Sequence, residues 1–386
     1  MTWIETNFKG DRMIWLVVIM LSIFSILAVY SSTGTLAYKY QQGNTEYYLF
    51  KHFIILFFGF ILMYFAHLMK YTFYSRISRI AILVTVPLLL LTLIMGTNLN
   101  EASRWLTLPI INLSFQTSDF AKLAVILFIA RTLSKKQDTI KDFKETFLPL
   151  MWPVCLVCLL ILPANFSTAA VLFVTCVFLM FIGRINMKYI FLLIASGVLL
   201  FALFILVVKI TGMKGRVETW EKRIENFTNE NEDTQGNYQT QQAKIAIATG
   251  GVFGKGPGNS TQRNFLPHPY SDFIFAIIVE EYGLLFGGIP VVALYIILFY
   301  RAIKIVKKSP RAFATFLAVG CSFGLVFQAM INMAVAVNLF PVTGQPLPML
   351  SMGGTSIWFT SLAIGIILSV SRDLEKEGVK LDPVTA

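Results

Sequence analysis

The chain is expected to be an all-α polytopic membrane protein, with about ten transmembrane helices and one long outer loop between the seventh and eighth. Two observations predict this class. The composition is 56% hydrophobic and only 14% charged, with 34 phenylalanines and a mean hydropathy of +0.69, which a soluble fold would not tolerate. The apolar residues also gather in stretches near the roughly 20 residues that a bilayer requires. These lie near residues 14–32, 51–69, 78–96, 117–134, 147–163, 167–183, 189–209, 275–299, 312–333 and 353–371. Residues 1–386 are expected to form a single transmembrane domain, and 210–272 a large extracytoplasmic loop within it.

The first stretch follows Lys9 and Arg12, as in a signal peptide, but no small-x-small cleavage site closes it, so it reads as an uncleaved span. Basic residues then set the orientation. Lys70, Arg76 and Arg79 follow the second span, Arg131, Lys135, Lys136, Lys141 and Lys144 the fourth, and Arg184 and Lys188 the sixth. Arg301, Lys304, Lys307, Lys308 and Arg311 follow the eighth, and Arg372, Lys376 and Lys380 the tenth. Those loops are assigned to the cytoplasm, together with both termini. The net charge of +11 is therefore positive-inside signal and attraction to anionic membrane lipid rather than a sign of nucleic acid. Cys155, Cys158, Cys176 and Cys321 all fall inside spans, where free cysteine packs as a small hydrophobe. The C-x-x-C spacing of the first two has no second ligand pair.

The fourth span opens Gln116-Thr117-Ser118-Asp119-Phe120-Ala121-Lys122, placing Asp119 and Lys122 three apart on one helical face. An ion pair that fixes packing and a substrate site fit equally well, since intramembrane charges face the bundle interior in pairs. Arg104, beside Trp105 in the preceding outer loop, suits an interfacial anchor or a phosphate contact.

Within the long loop, Val217, Trp220, Ile224 and Phe227 recur at spacings of three and four, with Arg216, Lys222 and Arg223 beside them. This pattern predicts an amphipathic helix on the membrane surface. Thr228–Asn237 reads as a flexible acidic tip. A second helical stretch carrying Gln241, Gln242, Ala243, Ile245 and Ile247 then leads into Gly250, Gly251, Gly254, Gly256 and Gly258. Such glycines let backbone amides approach an anion, although glycine-rich turns more often simply turn.

The loop enters the eighth span through Leu266-Pro267-His268-Pro269-Tyr270-Ser271-Asp272. A carboxylate at the mouth of a span, facing a loop instead of acyl chains, is a functional candidate; the plainer alternative is a helix N-cap. Glu280 and Glu281 lie about two turns further on and point in different directions, so they are expected to hydrogen-bond or pair inside the bundle. Between the ninth and tenth spans, Pro341, Gly344, Pro346, Pro348, Gly353 and Gly354 require non-helical backbone at membrane depth. Such backbone is tolerated only where protein packs it or a watery cavity adjoins it.

Three of these segments, Gln116–Lys122, Leu266–Gly283 and Pro341–Ser356, resemble the signatures of the SEDS family (shape, elongation, division and sporulation), and the ten-span layout matches along nearly the whole chain. Ser271–Ile274, Glu280–Gly283 and Gly353–Ser356 are more similar to its cell-division branch, FtsW, than to RodA. The resemblance implies a peptidoglycan glycosyltransferase of the bacterial cytoplasmic membrane. Such an enzyme polymerises lipid II during septal wall synthesis, together with a class B penicillin-binding transpeptidase and other division proteins. The family's essential aspartate falls on Asp272. Substrate contacts are expected from Arg104, Lys122, Arg263 and Lys255, in that order among the cations, and from Gln116, Asp119, Ser351, Gly353, Gly354 and Thr355. No cofactor is demanded, and a divalent cation, Mg or Mn, would suit a departing diphosphate.

Some family positions differ in this chain. Thr117 and Asp119 replace the usual proline and glutamate. Asn165, in Ala164-Asn165-Phe166-Ser167-Thr168, replaces an aspartate and so cannot transfer a proton. His268 replaces a glutamate, and Met352 a tyrosine. Two other classes suit a many-span bundle with broken helices: a flippase for lipid-linked sugars, and a scaffold that activates a partner. The concentration of polar motifs on one side argues against the flippase, and a scaffold would accept any cap in place of Asp272.

Overall fold

The computed structural model describes residues 9–99, 102–108, 113–211, 227 and 235–377. In chain order, α1 (Arg12–Ser32), the short α2 (Gly34–Tyr40), α3 (Thr45–Leu68) and α4 (Tyr71–Met95) come first. A small meander follows, β1 (Thr97–Leu99), β2 (Ala102–Leu108) and β3 (Leu113–Gln116), and then α5 (Thr117–Lys135). A π-turn, Phe143–Phe147, leads into α6 (Leu148–Ile161), then α7 (Phe166–Ile182) and α8 (Met187–Thr211). The remaining helices are α9 (Gln235–Gly250), α10 (Ile274–Gly283), α11 (Ile289–Lys308), α12 (Ala312–Ala336) and α13 (Thr355–Lys376).

Among the described residues, eight helices are long and apolar enough to cross a membrane, and α7 is a shorter apolar helix. The protein is therefore a multi-pass membrane protein. Helix α5 carries Asp119, Lys122, Arg131 and Lys135, so length and apolarity alone leave the count of ten as an expectation. The segment before α5 is not the plain loop expected from sequence. β2 pairs antiparallel with β1 and with β3, setting Trp105 opposite both Thr97 and Gln116. The expected surface helix over Val217, Trp220 and Ile224, and residues 228–234 of the acidic tip, lie outside the described residues. Gln235–Asn237 already belong to α9.

The chain divides into two compact units. The first comprises Met1–Ala66, Arg223–Arg301 and Leu325–Leu368. Here Asp11 caps α1, its Oδ1 accepting from the amides of Met13 and Ile14 at 3.0 and 3.3 Å, while Oδ2 takes both Nε and Nη2 of Arg301 at 2.7 Å. α3 and α13 meet through small residues, as membrane helices do: a Cβ on Gly59 would come within 2.8 Å of Ser361 Oγ, and one on Gly365 within 2.5 Å of the Met63 carbonyl. Ala243 and Ala246 of α9 pack with Leu266, Phe273, Ala276, Ile277 and Val335 in a buried cluster that includes residues on both sides of the turn carrying Asp272.

The eighth span is not the continuous helix that its apolar run suggests. Gly283, at φ +75°, ends α10, and a π-turn over Leu284–Gly288 re-aims the chain into α11. The break frees backbone groups that lipid cannot satisfy, and the glycine-rich loop satisfies them. The amides of Lys255 and Gly256 donate to the carbonyls of Glu280 and Glu281, both at 2.9 Å. The amides of Leu284 and Leu285 donate to Gly251 and Val252 at 2.9 and 3.0 Å. Gly254 and Gly283 stack backbone on backbone: a Cβ on Gly254 would lie 2.3 Å from the Glu281 carbonyl, and one on Gly283 2.3 Å from that of Val252. Gly250 and Gly254 therefore serve this contact. The sequence offers an anion approach or a plain turn for these glycines, and the amides of Lys255 and Gly256 go to helix carbonyls instead.

The second unit comprises His67–Lys222, Ala302–Gly324 and Ser369–Ala386. α4 and α5 are joined by the Thr92 hydroxyl donating to Thr117 Oγ1 at 2.9 Å. Phe178 stacks on Phe323 at 3.8 Å between ring centroids. Gly320 lets Ile126 and Leu179 approach its helix closely.

Gly254→Ala and Gly283→Ala should each lower the thermal unfolding temperature of the purified protein. The positive φ alone costs about 1–3 kcal/mol, and the collision with backbone adds to it. Gly258→Ala also has positive φ but nothing within 4 Å of its new Cβ, so its loss in the same melt should be smaller.

Candidate active site

Asp272 sits on the turn before α10, and its carboxylate is half-buried. It does not cap the helix: the N-cap position belongs to Phe273, which makes no side-chain cap bond. Ser271 Oγ donates to Asp272 Oδ1 at 2.9 Å, and no cation pairs with this carboxylate among the described residues. The main chain around it is fixed at successive carbonyls. Tyr270 O accepts from Met352 N at 2.9 Å, Ser271 O from Ser351 Oγ at 2.6 Å, and Asp272 O from Asn332 Nδ2 at 2.9 Å. Two of the three donors come from the irregular stretch between α12 and α13, whose own shape is held in turn. Ser351 Oγ accepts from Leu347 N at 2.8 Å, Gln328 Nε2 donates to Pro346 O at 2.9 Å, and the Tyr295 hydroxyl donates to Pro348 O. Ser25 Oγ donates to Leu350 O at 2.8 Å and meets His52 Nε2 at 2.7 Å.

Beside Asp272, Tyr270 OH lies 3.3 Å from His268 Nδ1. Burial pushes the Tyr270 phenol above its ordinary pKa, with Tyr48, Asp272 and Tyr40 adding to the shift, so it stays protonated. Of the segment expected to contact substrate, Ser351 is buried and acts on backbone. Gly353 and Gly354 are half-buried and form the turn into α13, with Ser356 N donating to Gly353 O at 3.0 Å, and Thr355 is the first helical residue.

Arg263 and Lys255 belong to a polar network behind the turn. Lys255 Nζ is 2.6 Å from Oε1 of the fully buried Glu280. That oxygen also accepts from Thr261 N at 3.1 Å and Thr261 Oγ1 at 2.9 Å, and Oε2 takes the Ser260 hydroxyl. Arg263 Nη1 donates to Ser31 O at 3.1 Å and to Ser31 Oγ at 3.2 Å, and the same hydroxyl donates to Glu281 Oε1. Both glutamates are thus engaged inside the fold, as their position predicts. Both cations are engaged too, so the geometry supports holding the 255–263 loop in place more directly than it supports a phosphate contact.

In the second unit, Lys122 Nζ pairs with Asp119 Oδ1 at 2.8 Å, with 18% and 4% of the side chains exposed, while Asp119 Oδ2 is buried without a partner. Gln116 Nε2 donates to Ser118 Oγ at 3.0 Å. Asn165 caps α7 by accepting from Thr168 N at 3.3 Å, a task that either an amide or a carboxylate performs, which explains why the exchange at this position leaves the helix start intact. Thr92, Thr117, Ser118 and Asn165 edge an otherwise apolar pocket of about 280 Å³, open solvent included. Arg104 lies on β2.

This arrangement of a broken eighth span, an ordered crossover before the last helix and a paired α5 coincides with a known family along almost its whole length. The profile of FTSW_RODA_SPOVE, described as cell cycle protein, matches residues 11–376. The chain belongs to the FtsW/RodA/SpoVE family. It is 33% identical to a probable peptidoglycan glycosyltransferase FtsW of Trichlorobacter lovleyi, over 97% of this chain and 95% of that one. Stage V sporulation protein E of Bacillus subtilis is 32% identical, over 94% and 97% of the two chains. The fold is similar to that of a chain in a peptidoglycan synthase complex that coordinates polymerization and crosslinking, with a TM-score of 0.71 and 23% identity over 95% and 98% of the chains. It is also similar to the rod shape determining protein RodA of Thermus thermophilus, with a TM-score of 0.68 and 21% identity over 96% and 98%. The SEDS resemblance is thereby placed at family level, with FtsW among its named relatives.

Sequence reasoning missed Asn332, Gln328, Ser25 and His52. The available signal was spacing: Gln328 and Asn332 stand one turn apart in an otherwise apolar helix. Lys255→Met strands Glu280 as an unpaired buried charge and should destabilise the protein by about 3–5 kcal/mol. Lys255→Met combined with Glu280→Gln should recover part of that loss, as read in a double-variant cycle of thermal melts.

Proposed function

We propose that this protein is a peptidoglycan glycosyltransferase that extends glycan strands from lipid II, with Asp272 as general base. The observation that carries the proposal is the state of that carboxylate: half-buried, without a cation partner among the described residues, and held on a main chain fixed at successive carbonyls. A positioned base needs this combination of fixed geometry and an available lone pair. The named relatives support the reaction class.

In the proposed reaction, Asp272 removes the proton from the acceptor sugar's 4-hydroxyl as that oxygen attacks the donor's anomeric carbon from the face opposite the diphosphate. The new C–O bond forms as the bond to the lipid diphosphate breaks. The polyprenyl diphosphate leaves with the electron pair, the anomeric centre inverts, and the product is a β-1,4 link. Arg104 and Lys122, in the second unit, are proposed as contacts for anionic substrate groups. Among the described residues no group of three or more His, Cys, Asp or Glu side chains converges, and a divalent cation, Mg or Mn, carried by the substrate diphosphate would supply charge to the leaving group. The setting proposed is the bacterial cytoplasmic membrane at the division septum, with both termini inside, Asp272 on the outer face and a class B penicillin-binding transpeptidase as partner. The kinship with FtsW and the basic loops support that setting.

Asp272→Asn keeps the shape and removes the basicity. Polymerisation of fluorescent lipid II by the full chain with its transpeptidase partner should drop by about 10²- to 10⁴-fold with an unchanged melt. Wild-type-like product from the variant would remove Asp272 as base. Lipid transfer across vesicles without any polymer from wild type would favour a flippase. Arg104→Ala should raise KM for lipid II while the protein stays folded, and unaltered turnover at low substrate would return Arg104 to an anchoring role.

A further inference from the structure

Asn332 is 1% exposed on α12, and the reaction above gives it no part. Its Nδ2 donates both protons to backbone, one to Asp272 O at 2.9 Å and the other to Gln345 O at 2.7 Å. The amide cannot be turned over, because Oδ1 would then face two carbonyl oxygens. In the orientation that remains, Oδ1 is buried with no hydrogen-bond partner among the described residues, a cost that is offset only by the two carbonyl contacts, which an apolar side chain of similar size could not make. Packing alone therefore does not account for an asparagine here. Gln328, one turn earlier in the same helix, holds the next carbonyl, Pro346 O. Asn332 binds both the Asp272 turn and the 345–352 crossover from α12, and the crossover itself holds Tyr270 O and Ser271 O through Met352 N and Ser351 Oγ.

We propose that Asn332 is a positioning residue for Asp272. By fixing the aspartate's own carbonyl against the crossover, it sets the direction in which the carboxylate leaves the turn. This inference rests on the reading of Asp272 as the base. Loss of the joint leaves the substrate-binding surface and the carboxylate's chemistry in place but lets the base drift, and a displacement near 1 Å costs a reaction about 10²-fold.

The test compares the wild-type full chain with Asn332→Asp, a near-isosteric change that replaces the donor by a repelled oxygen, and with Asn332→Ala. Each is assayed with the transpeptidase partner on fluorescent lipid II. Expected is a fall in kcat of about 10- to 100-fold with KM within twofold of wild type. Hydrogen exchange should quicken in peptides covering Tyr270–Asp272 and Gln345–Met352 and nowhere else. Should neither variant fold, Ser351→Ala frees the neighbouring carbonyl and must show the same split between kcat and KM. Wild-type kcat in the folded variants, or a loss carried by KM, overturns the positioning role. Failure of the underlying reading looks different: wild type makes no polymer, or Asp272→Asn remains active.

Discussion

The carbonyls of Tyr270, Ser271 and Asp272 each accept from a donor on another segment, Met352 N, Ser351 Oγ and Asn332 Nδ2. The first unit's polar architecture is organised around that clamp. A carboxylate at the mouth of a span has two ways to be lost as a base: it can pair with a cation, or it can wander with a mobile loop. The clamp prevents the second by holding backbone, so the side-chain oxygens need not be used for anchoring. The first is prevented by placement. The nearest lysine and arginine before it in sequence, Lys255 and Arg263, are drawn away toward Glu280 and the Ser31–Glu281 pair.

The helix break at Gly283 sets up this division of labour. Interrupting the eighth span leaves carbonyls and amides exposed at a depth where lipid offers no partners. The loop that repairs the break, Gly250–Gly256, is continuous with the segment that ends at Asp272. Glu280 lies on the last turn before the break, and its contacts with Ser260, Thr261 and Lys255 tie the same loop down a second time. Break, repair loop and Asp272 thus lie on one stretch of chain, which backbone pairing holds at the loop and the crossover holds at the aspartate.

Much of this was legible in the sequence. Apolar stretches gave the membrane class and located the helices, because burial in lipid demands long unbroken runs. Asp272 stood out because a lone carboxylate at a span mouth needs an explanation. Asp119 and Lys122 could be paired from their spacing alone. The glycines of the long loop were legible as close-approach residues, but their partner was not, since the absence of a Cβ does not say whether an anion or a neighbouring helix comes near. Gly283 was visible inside an apolar run, yet only the path of the chain shows that it ends a helix. Asn332 was the least legible: a single amide in a buried helix reads as packing until its partners, 60 residues back and 13 ahead, are known. The meander of β1 to β3 escaped because β1 and β3 are only three and four residues long.

A carboxylate held by its backbone is proposed as the base. The most direct measurement is an experimental structure of the full chain with lipid II bound. The acceptor 4-hydroxyl should lie within about 2.6–3.2 Å of an Asp272 carboxylate oxygen, with the contacts from Asn332, Ser351 and Met352 to the turn intact. A carboxylate paired with a lysine or arginine, or a hydroxyl placed beyond the reach of one bridging water, would contradict it.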